Sequence, residues 1–221
     1  MTPRFRSLIL DVDSTLSGIE GIDWLARRRD RAVAEAIEAL TTRAMEGEIP
    51  LEAIYEERLK IIRPRVAEIE ALSEAYIAAR APGVEAALAA LRAAGVRMVV
   101  VSGGILQAIL PLTRFLGFPD DDVDAVALRF AQDACVGIEP SPMTTQAGKP
   151  EARVVQGLAA PVLAVGDGMT DLVLRQPPAR AFAAYTGFAR RGPVVDGADY
   201  VIDSFAALRA LVLDGQAINR S

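Results

Sequence analysis

The stretch LILDVDSTLSGIEGID, residues 8–23, begins as a buried strand and then breaks its own pattern. Leu8, Ile9 and Leu10 run straight into Asp11, with Asp13 two places on and Ser14-Thr15 behind it. Two carboxylates at the end of a core strand repel each other and lose hydration, and both effects cost stability. A cation offsets that cost, and so does a reaction that uses both acids. A strand that simply ends in water needs neither. The remainder of the chain decides among these.

Composition narrows the choice. At 221 residues, half of them apolar, the chain holds one large domain or a core with a small inserted domain. A net charge of −5 weighs against nucleic acid as a partner. Cys135 is the sole cysteine, which excludes an intramolecular disulfide and suits a reducing, cytoplasmic location. The apolar part of MTPRFRSLIL is too short for a signal peptide. No apolar run approaches the ~20 residues of a membrane helix, so no membrane partner is expected. There is no histidine, so acid–base work falls to carboxylates or lysine. Any metal site is then oxygen-rich, favouring Mg²⁺ or Ca²⁺. Lys60 and Lys149 are the only lysines in a chain whose other basic residues are all arginine.

The spacing of apolar residues predicts helices at about 20–30, 32–46, 51–62 and 66–79. From Pro82 the pattern alternates. A helix ends at Gly95, and the strand VRMVVV leads into SGG. The next helix runs to about Gly117, kinked at Pro111. Residues 123–130 and 134–138 read as a hairpin, Pro150 opens a helix, and the strand VLAV ends in GDG before a helix from Asp171 to about Gln176. Short strands near 180–184 and 199–202 and a helix from Ser204 complete the chain. This alternation predicts a parallel, doubly wound α/β sheet. Residues 16–80 form a small helical insert after the first strand, and 1–15 with 81–221 form the core.

In such sheets ligands sit beyond the carboxyl ends of the strands. Three strands here end in polar signatures, LIL-DVD, VVV-SGG and LAV-GDGMTD, and Lys149 sits just before the predicted helix at Pro150. Together they hold what phosphoryl transfer needs. Asp11 can act as nucleophile and form an aspartyl-phosphate. Asp13 can serve as general acid and then base, with its carbonyl available to a metal. Asp167 offers another hard oxygen, and Asp171 can ligate directly or through water. Ser102 and the N–H groups of Gly103 and Gly104, opening a helix, make a phosphate seat. Lys149 adds a point charge toward the transferring oxygens.

These four segments, D-x-D-S-T, S-G-G, a lone Lys and G-D-G-x-T-D, resemble in order the motifs of the haloacid dehalogenase superfamily of Mg²⁺-dependent phosphatases. The resemblance implies a Rossmann-like core, a Mg²⁺ cofactor and a small phosphorylated metabolite as substrate.

The insert must select that metabolite. Leu51, Ile54, Tyr55, Leu59 and Ile62 form one helical stripe, and Arg58 lies on it. Its guanidinium either snorkels to the rim or faces inward to clamp a substrate carboxylate. Glu20 is either a favourable first-turn acid or the partner of a substrate ammonium. The stretches DVDSTLSGIEGID, AMEGEIPLEAIYEERL and GDGMTD are similar to the phosphoserine phosphatase family. That similarity implies a phospho-amino acid, with Glu20 on the amine, Arg58 on the carboxylate, Met45 lining the pocket and Thr170 ordering the site. The chain has Met45-Glu46-Gly47 where that family has M-G-G, so phosphothreonine, phosphohomoserine or a sugar phosphate stays open as substrate. A signalling receiver that holds an aspartyl-phosphate, or a non-catalytic sensor, would share the acids and the lysine. A receiver lacks the long helical insert and the second acid at plus two, and a silent sensor does not call for all four motifs intact.

Overall fold

The protein is described by a computed structural model over residues 2–45, 48–49, 51–145 and 148–214, with residues 44–45 and 51–54 described by backbone alone. In chain order the strands are β1 (Ser7–Leu10), β2 (Arg97–Ile105), β3 (Val123–Val126), β4 (Leu128–Ala131), β5 (Ala134–Ile138), β6 (Val162–Gly166), β7 (Ala179–Tyr185) and β8 (Tyr200–Ile202). Six of them make one sheet in the order β3-β2-β1-β6-β7-β8. Every neighbouring pair in it is parallel. Order reverses at β1, which pairs with β2 on one side and β6 on the other. That reversal opens a crevice at the carboxyl end of β1, where Asp11 stands. Strands β1 and β6 are buried along their whole length, as continuous apolar runs in a parallel sheet must be.

Among the described residues, four helices lie between β1 and the core's next element: α1 (Gly21–Ala26), α2 (Arg31–Met45), α3 (Leu51–Ile62) and α4 (Val66–Ala78). Asp30 starts α2 by accepting the Val33 N–H at 2.9 Å. Arg29 locks the group together, donating to the Ile62 carbonyl at 2.8 Å and gripping Glu68 with two bonds of 2.6 and 2.8 Å. The later helices are α5 (Val84–Ala93), α6 (Leu106–Phe115), α7 (Met169–Leu172), α8 (Gly192–Gly197) and α9 (Phe205–Leu213). Helix α5 packs on α9, and α6 packs on β2, β3 and the inserted helix α4. Ser204 caps α9 by accepting the Ala207 N–H. The fold is the expected doubly wound α/β sheet with a helical insertion after the first strand.

Several local expectations are corrected. Residues 123–130 are not one arm of a hairpin. They divide into β3, which extends the main sheet, and β4, which pairs antiparallel with β5. No α-helix opens at Pro150: Lys149–Glu151 and Arg153–Val155 are single 3₁₀ turns. The helix at Asp171 is one turn, Met169–Leu172, and ends well before Gln176. As expected, helix α6 runs on through Pro111, to Phe115. Proline leaves the Gln107 carbonyl without its helical donor, and the Ser73 hydroxyl of α4 approaches that carbonyl at 3.5 Å. Finally, Ser102-Gly103-Gly104 does not open a helix. The β-branched run before it carries β2 on to Ile105, across a register shift against β3 between Val101 and Ile105.

Candidate active site

The crevice at the end of β1 gathers residues from both the sheet and the insert. Asp11, Asp13, Ser102, Gly103, Gly104, Lys149, Asp167, Thr170 and Asp171 line one cleft together with Glu20 and Arg58. Every expected site residue with a described side chain therefore meets in one place. Met45 belongs to α2, but its side chain, like Glu46, lies outside the described residues, as do those of Leu51 and Ile54.

Three carboxylates form the floor. Asp11, Asp167 and Asp171 are buried, and one oxygen from each lies within 4.8 Å of the others. Burial first, and then the Asp171 charge, push Asp11 up to about 7, against the opposing pull of Lys149. Lys149 is itself buried, and its ammonium donates to Asp11 at 2.6 Å and to Asp171 at 2.5 Å. Burial pulls Lys149 down, but the two carboxylates outweigh it and hold the ammonium above its usual range. Asp167 Oδ2 is buried and makes no hydrogen bond; the group that meets it is the Arg191 guanidinium. An all-oxygen, all-buried set of three converging carboxylates fits a hard divalent cation. The Asp13 carboxyl is not among the three, so only its backbone carbonyl is left for such an ion.

The glycine of GDG has a steric reason. Gly166 ends β6, and a Cβ there would overlap the Asp171 carboxyl carbon. Asp171 folds back over it and accepts the Gly168 N–H at 2.9 Å. Gly166→Ala should therefore displace Asp171 and lower kcat/KM by about 10²-fold, the usual effect of a misplacement near 1 Å. A normal circular dichroism spectrum with impaired turnover is the expected result, and undiminished turnover would show that Asp171 has no fixed role.

Asp13 is half-buried and held by two donors. Its Oδ1 accepts the Tyr76 hydroxyl at 2.6 Å and its Oδ2 accepts the Gly21 N–H at 3.0 Å. Burial, followed by the charges of Glu20 and Asp11, raises its pKa well above the carboxylate range. Burial also raises Tyr76, with Asp13 adding to the effect, so the phenol stays a donor. Gly21 is required here because a Cβ would strike the Tyr76 hydroxyl. Ser102 is fully buried, and its Oγ accepts the Gly104 N–H at 3.0 Å. One of the two backbone donors expected for phosphate is therefore already engaged by Ser102 itself. The neighbouring Gly103 carbonyl accepts the Tyr55 hydroxyl at 2.9 Å, tying α3 to the crevice.

The insert supplies the wall. Arg58 is only 3% exposed, so it faces inward and does not snorkel. Its Nη1 donates to Thr41 Oγ1 at 2.7 Å, while its Nε is buried with no partner. Thr41 in turn donates to Asp23 Oδ1 at 2.7 Å. Burial lowers the Arg58 pKa, opposed by the anionic groups around it. Glu20 Oε1 accepts from the Ser14 hydroxyl at 2.7 Å and from Arg191 Nη2 at 3.2 Å.

Five of these groups were not expected: Asp23, Thr41, Tyr55 and Tyr76 as polar partners, and Arg191. Tyr55 had a place on the α3 stripe, and a buried tyrosine needs a partner for its hydroxyl. Asp23 and Thr41 sit on different helices, and Arg191 is one of many arginines, so neither spacing nor composition marks them.

The family model for haloacid dehalogenase-like hydrolases matches residues 8–174. The chain is 33% identical over 212 residues to the chloroplastic phosphoserine phosphatase of Arabidopsis thaliana, covering 92% of this chain and 70% of that one. A phosphoserine phosphohydrolase-like protein from Francisella tularensis superposes with a TM-score of 0.84 at 26% identity, covering 93% of this chain and 99% of that one. A phospho-aspartyl intermediate analogue of phosphoserine phosphatase superposes with a TM-score of 0.77 at 25% identity, covering 93% and 97%. Among the described residues no helix is long and apolar enough to cross a membrane. The motifs, the sheet order and these likenesses agree on an enzyme, not a signalling receiver or a silent sensor: the chain belongs to the haloacid dehalogenase-like hydrolases and is a phosphatase.

Proposed function

We propose that the enzyme hydrolyses the phosphate ester of a small amino acid, with O-phospho-L-serine as its substrate. The observation that carries this reading is Arg58, a buried guanidinium in the same cleft as Asp11 whose Nε has no protein partner. Nothing apolar satisfies such a group, and a substrate carboxylate does so through a two-bond fork. Across the cleft, Glu20 has both of its protein contacts on Oε1, which leaves Oε2 to face an ammonium. A carboxylate reader and an ammonium reader beside a phosphatase centre describe an amino-acid phosphate. The named relatives agree with that choice.

In the first step the Asp11 carboxylate attacks phosphorus and the bond from phosphorus to the serine oxygen breaks. Asp13, kept neutral by burial, delivers its proton to that oxygen, and serine leaves. In the second step Asp13, now anionic, takes a proton from a water molecule. That water attacks the phosphorus of the aspartyl-phosphate, releasing inorganic phosphate and restoring both acids. Tyr76 and the Gly21 N–H hold the Asp13 carboxyl in place through both steps. Lys149 and Ser102 face the phosphoryl oxygens, with Gly103 and Gly104 shaping the seat and Thr170 closing its edge. Asp11, Asp167, Asp171 and the Asp13 carbonyl would hold Mg²⁺, which when bound offsets the repulsion between anionic nucleophile and anionic phosphate.

We also place the division between the units at 15/16 and 80/81. Support comes from the paired crossing there, where Gly18 N–H donates to Ala79 and Ala81 N–H to Leu16, both at 2.9 Å.

Asp13→Asn should remove the acid. With O-phospho-L-serine, a poor leaving group, the rate should fall by about 10²-fold or more. With an aryl phosphate the first step needs less help, so phosphorylated Asp11 should accumulate. An unchanged rate on phosphoserine would exclude Asp13 as the acid.

The function itself is tested by phosphate release from O-phospho-L-serine, O-phospho-L-threonine, O-phospho-L-homoserine and hexose phosphates, each with Mg²⁺ and with excess EDTA. Preference for phosphoserine that vanishes with EDTA is expected. Preference for a sugar phosphate, which has neither carboxylate nor ammonium, would overturn the amino-acid reading.

A further inference from the structure

The side chain of Arg191 lies where neither the motifs nor the proposed steps require a cation. It precedes α8 in the loop after β7, far along the chain from the residues it meets. Its Nη2 donates to Glu20 Oε1 at 3.2 Å, and its Nη1 is paired with Asp167 Oδ2 and points toward the Asp167 carbonyl at 3.4 Å. Glu20 enters the insert and Asp167 belongs to the core, so one guanidinium spans both. The loop that carries it is seated by Phe188, whose ring lies against Gly18 so closely that a Cβ there would stand 2.8 Å from the ring. Arg191 keeps 24% of its side chain exposed, at the rim of the cleft's ion pairs.

Asp167 is one of the three buried carboxylates that fit a divalent ion, and its Oδ2 makes no hydrogen bond. Arg191 presses on that same atom. A guanidinium and a divalent cation cannot share it, since both seek the same lone pairs and repel each other at short range. We infer that Arg191 is an internal counter-cation that competes with the divalent ion for Asp167, anchored throughout by Glu20. It holds the core acid and the insert acid together until the ion takes Asp167, and it then keeps Glu20 as its partner. The affinity of the enzyme for its metal is thereby set partly from a loop outside all four motifs. This inference rests on the reading of Asp11, Asp167 and Asp171 as the cation site.

The test is calorimetric titration of MgCl₂ into the wild-type enzyme and into Arg191→Ala and Arg191→Gln, with no substrate present. Both variants should bind Mg²⁺ about three- to tenfold more tightly, because a competing ion pair of ordinary strength and a nearby like charge are gone. Thermal melts supply an independent reading. Without metal the variants should melt below wild type, and saturating Mg²⁺ should narrow that gap. Wild-type Mg²⁺ binding with variant affinities equal within twofold, or weaker, would overturn the role of Arg191 and leave the metal site standing. A wild-type enzyme that binds no Mg²⁺ would overturn the metal site and this inference with it.

Discussion

Replacing Asp11 with Asn should lower kcat by at least about 10³-fold, because a neutral amide is a poor nucleophile and no other group is placed to substitute. Asp11 is fixed by the last register of β1, where its own N–H donates to the Val165 carbonyl at 3.0 Å, so its side chain cannot drift from the crevice. Asn keeps the shape and the backbone bond. It also removes a buried charge that desolvation disfavours, and Lys149 retains Asp171 as a partner. The variant should therefore melt within a few degrees of wild type while losing turnover. Activity above a few per cent of wild type would remove Asp11 from the reaction.

Arg58→Ala should cost about 2–4 kcal/mol in transition-state binding of phosphoserine, the range for leaving a charged partner unpaired. Arg58→Lys should lose most of the same amount, since an ammonium cannot reproduce the fork. Because Arg58 is buried and bonded to Thr41, some structural damage accompanies its removal. An aryl phosphate separates the two effects: it has no carboxylate, so a lost clamp spares it and a distorted insert does not. Large losses on phosphoserine with small losses on the aryl ester are expected. Equal losses on both would mean that Arg58 supports the insert and reads nothing.

What could be read from the sequence was what local chemistry determines. Asp11, Asp13 and Asp167 follow apolar strands whose termini are visible as abrupt polar residues, and a parallel sheet then aligns those termini at one edge. Arg58 was visible as a charge on an apolar stripe, though only its burial decided between rim and cleft. Where the structure departs from these expectations, the causes are physical. In VVVSGG the β-branched run favours extension and the glycines permit a bulge, so β2 continued where a helix had been expected. At Lys149 the chain makes a single 3₁₀ turn through Pro150, enough to aim one ammonium, where the proline suggests a longer helix. Residues 123–126 read as part of a hairpin because a short apolar strand looks the same whether its partner is β2 or β5. The network around Asp13 and Arg58 was invisible because Tyr76 lies 63 residues from Asp13, and Thr41 lies 18 from Asp23 and 17 from Arg58. Arg191, 171 residues from Glu20, had no local signature at all.

A single measurement addresses both the nucleophile and the substrate. The wild-type enzyme is mixed with O-phospho-L-serine and Mg²⁺, quenched in acid during turnover, digested and analysed by mass spectrometry. The predicted result is a phosphoryl group on the peptide containing Asp11, absent when Asp11 is Asn. Steady release of phosphate with the phosphoryl group on another residue, or with none on Asp11 at any time, would contradict it.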